Sequence, residues 1–173
     1  INIPDSTHDW YDFVYAYDAS VITTLLEELG VTTDDLVYDP FAGTGTTVLT
    51  CKQHGVDAIG TDTSPASTLA ASVKTTWGVE LSDFDERVTT LLTTLRPALQ
   101  ALTAANKTTL QDYTNSTITP PKQLDAYNFT QPDTLPDGWL HELTWKHVQV
   151  IKHHVNTHPD DAITDMFKLA LMR

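Results

Sequence analysis

The chain has 173 residues, enough for one domain of ordinary size with a real core. Its 23 acidic against 10 basic residues leave a net charge of −13, which argues against direct clamping of a phosphate backbone, because DNA affinity comes largely from Lys and Arg releasing counterions. A single cysteine, Cys51, excludes an internal disulfide, and the absence of a signal peptide or a bilayer-length apolar run points to the cytoplasm.

In chain order, Trp10, Tyr11, Phe13, Tyr15 and Tyr17 nearly alternate, as suits a half-buried extended segment better than a base-stacking surface. Asp18 or Ser20 then caps a helix carrying Val21, Ile22, Leu25, Leu26 and Leu29 on one face and closed by Gly30. A strand is expected over 36–39, a helix over 46–54, a second strand over 57–61 and a helix over 65–77, together a βαβα unit. In the last helix Pro65 follows a capping Ser64, and Leu69, Val73 and Trp77 recur every fourth residue toward the sheet. Cys51 is expected buried in the helix that ends at Gly55. Two parallel strands cannot stand alone, so further strands are expected from a downstream part or a partner.

From Ser82 to Ala105 the residues Val88, Leu91, Leu92, Leu95, Leu99 and Leu102 trace a helical stripe, with a kink or break expected at Pro97; packing is favoured over target recognition. Residues 113–138 carry four prolines among Asn, Thr and Asp and predict a long surface connection. Two helices follow, over Trp139–Val155 and Ala162–Met172, with Pro159 and Asp160 starting the second and Leu140, Leu143, His147, Val150 and His154 near one face of the first. His153, His154 and His158 cluster without a fixed third ligand, so solvated histidines are expected and a metal site is not. The sequons at Asn106, Asn115 and Asn128 are what a threonine-rich chain produces by chance. The organisation is thus a β/α segment over 1–80, a helical region over 81–112, a loop over 113–138 and a second helical region over 139–173.

The most informative segment is LVYDPFAGTGTT at 36–47. An apolar strand runs into a bend in which Gly43 and Gly45 can take positive φ, and the helix starting near Thr46 aims free N–H groups at whatever sits there, a carboxylate or a phosphate. Asp39 at the mouth of the bend repels a pyrophosphate and attracts an ammonium. A dinucleotide fingerprint needs a third glycine where Val48 stands, and a phosphate loop needs a lysine where Thr46 stands. Asp62 ends the second strand, where a carboxylate can accept the hydroxyls of a ribose. An ammonium partner, a tight backbone wall over 43–46 and a ribose partner together match S-adenosylmethionine.

With those residues in view, DPFAGTGTT resembles motif I of the amino-group DNA methyltransferases, which methylate adenine N6 or cytosine N4, and GTDTSP resembles their motif II. HDWYDFVYAYDASVITTLLEELG at 8–30 is similar to motif X of those members in which it precedes motif I. The resemblance covers roughly the first eighty residues. It implies a partial Rossmann-like α/β fold for S-adenosylmethionine with additional helices. Asp39 would contact the methionine amino group, and the loop Pro40, Phe41, Ala42, Gly43, Thr44, Gly45 and Thr46 would line the cofactor. Asp62 would hold the ribose, Thr63 would lie near the adenine, and Tyr17 would join from motif X.

The family's target motif is Asp, Asn or Ser followed by Pro-Pro and an aromatic that stacks on the flipped base. The only Pro-Pro here, TPPK at 119–122, has neither the polar acceptor nor the aromatic. The chain is therefore expected to be the N-terminal cofactor-binding part of a DNA methyltransferase, inactive alone, with the catalytic motif downstream. DNA would be the parent's substrate and a restriction endonuclease a possible partner. Two alternatives are a transfer-RNA guanine-N2 methyltransferase and a non-catalytic methyltransferase-like module. Abundant Asp and Thr with few Lys, and a pI near 4.6, suit the salt-loaded cytoplasm of a halophile, archaeal ones especially, against the plainer alternative of an ordinary acidic domain.

Overall fold

The computed structural model describes residues 5–11, 17–106, 124, 126–130 and 141–172. The chain divides into two compact units, one formed by residues 1–79 with 172–173 and the other by residues 80–171. Phe13, Tyr15, Trp139, Leu140 and the Pro-Pro at 120–121 lie outside the described residues.

The first unit begins with a 3-10 turn, Asp5–Trp10, followed by α1 (Ala19–Glu28), β1 (Leu36–Asp39), α2 (Thr46–Gln53), β2 (Asp57–Gly60) and α3 (Pro65–Thr75). The strands pair in parallel with Leu36 opposite Asp57 and Asp39 opposite Gly60. Parallel strands need a crossover, and α2 supplies it. Alternation sends Val37 and Ala58 toward a core of Ile22, Leu26, Cys51 and Val56, while Leu36, Tyr38 and Ile59 stay exposed on the other face. Helices therefore cover one face of this sheet, and among the described residues the other face is open.

Local chemistry explains each boundary. The Asp18 carboxylate accepts from the Ser20 amide at 2.8 Å, so Asp18 and not Ser20 is the cap of α1. Gly30 follows the helix at φ 64°, a conformation that closes helices and suits glycine. Of the expected apolar stripe only Ile22 and Leu26 are buried; Val21, Leu25 and Leu29 point to solvent. Ser64 caps α3 through the Ser67 amide with Pro65 in the first turn, as its sequence predicts. Helix α3 stops at Thr75, so Trp77 is not its last sheet-facing residue. Its indole N–H donates instead to the Lys74 carbonyl at 3.0 Å, and the Lys52 ammonium lies 4.4 Å from its ring centroid. Ala70 and Val73 are the buried apolar positions of α3. Cys51 is fully buried, and burial pushes its thiol above the ordinary value.

The second unit contains α4 (Leu81–Asn106), α5 (Glu142–Asn156) and α6 (Ala162–Met172). Helix α4 runs through Pro97 without the expected break. The Thr93 carbonyl that loses its partner there lies on an exposed turn, where water can satisfy it. Leu95, Ala98 and Leu102 of α4 pack with Val150 of α5 and with Leu124, while Tyr127 and Phe129 close over the cluster. Part of the stretch expected as a surface connection thus contributes to this core. The Arg87 guanidinium reaches Asp161 at 3.1 Å and the Thr164 hydroxyl at 2.9 Å, and the Asp161 carboxylate also accepts the Thr164 amide. Asp161, not Asp160, therefore starts α6; Asp160 takes the Lys168 ammonium.

The clustered histidines contact aromatic rings: His153 remains exposed, as expected, whereas His154 and His158 are half-buried. His153 meets Tyr127 edge-on at 5.0 Å, His158 meets Phe167 at 6.0 Å, and the Tyr127 hydroxyl and His154 Nε2 are 2.8 Å apart. Among the described residues no three metal-ligating side chains converge, and no helix is long and apolar enough to cross a membrane.

Burial, then the charges of His153 and His158, lowers the His154 pKa from its ordinary 6.5. A depressed pKa means the unfolded chain takes up the proton first. The contribution of neutral His154 is thus complete above about 6.5 and is lost as pH falls toward its folded value. Urea unfolding followed from pH 8 to pH 5 is expected to show a loss of stability over that window that His154→Gln reduces.

Candidate functional site

Both parallel strands end at one edge, and the chain between β1 and α2 turns there. The turn is held by carboxylates at both sides. The Asp39 carboxylate, at the end of β1, accepts the Phe41 amide at 3.0 Å on Oδ1 and the Thr47 hydroxyl at 2.5 Å on Oδ2. The Tyr17 hydroxyl lies 3.2 Å from the same Oδ2 and also hydrogen-bonds Thr47 Oγ1. Burial, with the Asp39 charge beside it, raises the Tyr17 phenol above its ordinary value even though the Thr47 hydrogen bond opposes the shift.

Asp62, just past β2, accepts the Gly43 amide at 2.9 Å on Oδ2 and the Ser64 amide at 2.8 Å on Oδ1. Backbone bonds complete the weave: the Ala42 amide donates to the Thr61 carbonyl, the Thr61 amide to the Asp39 carbonyl, and the Gly45 amide to the Ala42 carbonyl. Each bond satisfies a main-chain group that a tight loop would otherwise leave unpaired.

The two glycines of the loop do different work. Gly43 has φ 53°, and a Cβ built there meets nothing within 4 Å. Its conformation calls for glycine, and the room beside it stays free for a ligand. Gly45 has φ 90°, and a Cβ there would stand 2.7 Å from Ala71 Cβ of α3. It lets the loop touch a helix. Gly60, which the sequence analysis passed over, plays the same part at β2, where a Cβ would come within 2.7 Å of Ala42 Cβ and 2.9 Å of Val48 Cγ1. An isolated glycine in a strand was the available signal.

A cavity of about 200 Å³ opens between the loop, β2 and α3, lined among others by Gly43, Thr61, Asp62 and Thr68. Asp39 does not line it. The two carboxylates expected to share one pocket instead stand on neighbouring strand ends, with the glycine loop between them. Phe41 is strongly exposed at 84%, whereas Ala42, Thr44, Gly45 and Thr46 are buried. Pro40 and Thr63 are exposed. No side chain caps α2, since Gly45 has none to offer. Thr47, Ser64 and Thr61 are the site residues that the sequence analysis did not assign; Thr47 lies one position past the assigned loop.

Residues 18–71 match the sequence model of an N6/N4 DNA methylase family, described as DNA methylase. Over this stretch the chain is similar to that family. The match runs from the Asp18 cap of α1 to Ala71, the α3 residue that Gly45 touches, so it contains both aspartates and the whole loop. Among curated relatives, type II methyltransferase M.BsoBI of Geobacillus stearothermophilus is 37% identical over 73 residues, covering 42% of this chain and 14% of that protein. Type II methyltransferase M.MjaII of Methanocaldococcus jannaschii is 48% identical over 40 residues, 23% of this chain and 8% of its own. Type II methyltransferase M.MvaI of Kocuria varians is 26% identical over 175 residues, 98% of this chain and 34% of its own. The chain thus spans about a third or less of the length of these relatives. No solved structure matches it.

Placing alanine at Gly43 should cost about 1–2 kcal/mol, the penalty for a side chain in left-handed backbone. Gly45→Ala should cost distinctly more, because the Ala71 contact is added. Chemical unfolding of both variants checks this order; equal losses would remove the close approach from the explanation.

Proposed function

We propose that this chain is the S-adenosylmethionine-binding part of a DNA methyltransferase acting on an exocyclic amino group of adenine or cytosine, built on a partial Rossmann-like fold. The observation that carries the reading is the Asp62 carboxylate gripping the Gly43 amide within the stretch that matches the DNA methylase family. That bond joins the bend after β1 to the turn after β2, so one ligand can rest on both.

The groups present fit such a ligand. An ionised carboxylate offers roughly four acceptor positions, and Asp62 uses two on backbone amides, leaving two for the vicinal hydroxyls of a ribose. Asp39 would receive the ammonium group, and the uncapped first turn of α2 would receive the carboxylate through its N–H groups. Pro40 to Thr46 would form the wall, open at Gly43; Thr63 would lie near the adenine, and Tyr17 would stand behind Asp39. When bound, S-adenosylmethionine supplies a methyl group on a sulfonium sulfur, an electrophile that calls for alignment more than acid–base help. Asp39 and Asp62 are binding groups in this reading. The groups that would hold an extruded base belong to the Pro-Pro-aromatic motif, which these 173 residues do not carry, so the chain by itself would bind and not methylate.

DNA would be engaged by other parts of the parent protein, since −13 charges disfavour it here. A cytoplasmic setting, a halophilic source and a companion restriction endonuclease complete the proposal. The family match favours DNA over transfer RNA as the parent's substrate.

Calorimetry with S-adenosylmethionine in molar KCl tests the reading, the salt being chosen to screen an anionic surface. Binding is expected, and Asp62→Ala should weaken it by about 1–3 kcal/mol. Equal affinity for parent and variant would take Asp62 out of the site, and no binding at all would favour a non-catalytic module.

A further inference from the structure

We propose that Thr47 and Tyr17 are positioning residues that fix the Asp39 carboxylate so that one acceptor position, on Oδ1, is left for a primary ammonium. The inference rests on the proposed cofactor-binding role and deepens it.

The argument is a count of protons and lone pairs. Oδ2 faces two hydroxyls, Thr47 at 2.5 Å and Tyr17 at 3.2 Å, and Oδ1 faces the Phe41 amide at 3.0 Å. With roughly four acceptor positions on an ionised carboxylate, two or three are engaged, depending on which oxygen takes the Tyr17 proton; both hydroxyls lie at Oδ2, so Oδ1 has one position beyond the Phe41 amide in either case. Thr47 and Tyr17 have one proton each, and their oxygens are also bonded to one another. If Tyr17 donates to Thr47, then Thr47 donates to Asp39; if Tyr17 donates to Asp39 directly, Thr47 still reaches the same oxygen. In both arrangements the hydroxyl protons are drawn toward the negative charge, and such chains strengthen each other. The Thr47 side chain is buried, at 7% exposure in the first turn of α2, so it is held by the helix and cannot swing away.

The carboxylate plane is therefore set from behind, and its remaining acceptor lies beside the Phe41 amide. The ligand group this suits is a compact ammonium donor. A ligand without that group has nothing to gain from the arrangement.

S-adenosylhomocysteine and 5′-methylthioadenosine separate the two cases, because they share the nucleoside and thioether while only the first has an amino-acid end. Calorimetry of the 173-residue chain should show Thr47→Val losing about tenfold in affinity for S-adenosylhomocysteine, the scale of a charge-assisted hydrogen bond, while 5′-methylthioadenosine changes less than about twofold. Thr47→Ser, which keeps the hydroxyl, should restore the first ligand. Tyr17→Phe, an exposed change, should show the same selective loss to a smaller degree. Loss of both ligands together in the Thr47→Val and Tyr17→Phe variants would make these residues merely structural and overturn the inference, as would unchanged affinity for both ligands. If the parent binds both ligands but the variants show no selectivity, the cofactor reading stands and the inference fails; if the parent binds neither, both fail.

Discussion

The bond from the Gly43 amide to the Asp62 carboxylate is the constraint on which the first unit's strand-end geometry depends. A glycine loop after a strand has many conformations open to it, and entropy favours leaving it loose. A charge-assisted bond from the turn after the neighbouring strand selects one of them. The same carboxylate takes the Ser64 amide, so the loop, the second strand and the start of α3 are registered on one side chain. Gly45 against Ala71 and Gly60 against Ala42 close the remaining space, and each contact is possible only because a Cβ is missing.

Asp39 shows how local bonding divides a site. Its position at the end of β1 places it one strand from Asp62, yet its carboxylate is engaged by Tyr17, Thr47 and the Phe41 amide and does not enter the cavity at Asp62. The two carboxylates are thus independent supports on either side of the loop. A long ligand reaching across the bend could use both, and a short one could use only one.

The second unit is organised by different forces. Apolar packing between α4 and α5 sets its core, and Arg87 with Asp161 and Thr164 sets where α6 begins. Direct hydrogen bonding to the Thr164 amide, helped by Arg87, holds the Asp161 carboxyl below the usual carboxylate range, so the cap stays charged at neutral pH.

Several features could be read without coordinates. Leu36–Asp39, Asp57–Gly60 and the helices between and after them follow from short β-branched runs, glycine turns and caps such as Ser64, all of which act within a few residues. The DPFAGTGTT pattern carried the resemblance, and it lies within the stretch that matches the DNA methylase family model. Long-range partners had no such local signature. That Asp62 would brace Gly43, that Thr47 and Tyr17 would both bond Asp39, and that Gly45 would lie against Ala71 all depend on residues 8 to 26 positions apart in sequence being brought together. Tertiary packing likewise overruled the Pro97 break, the full α1 stripe and the sheet-facing Trp77, because exposure and neighbours, not propensity, decide which side of a helix is covered and how a chain end is satisfied. Sequence alone determined the strands, the glycine bend and the caps that act within a few residues; only the folded arrangement decided which acceptors on each carboxylate remain free, since that count depends on donors delivered from elsewhere in the chain.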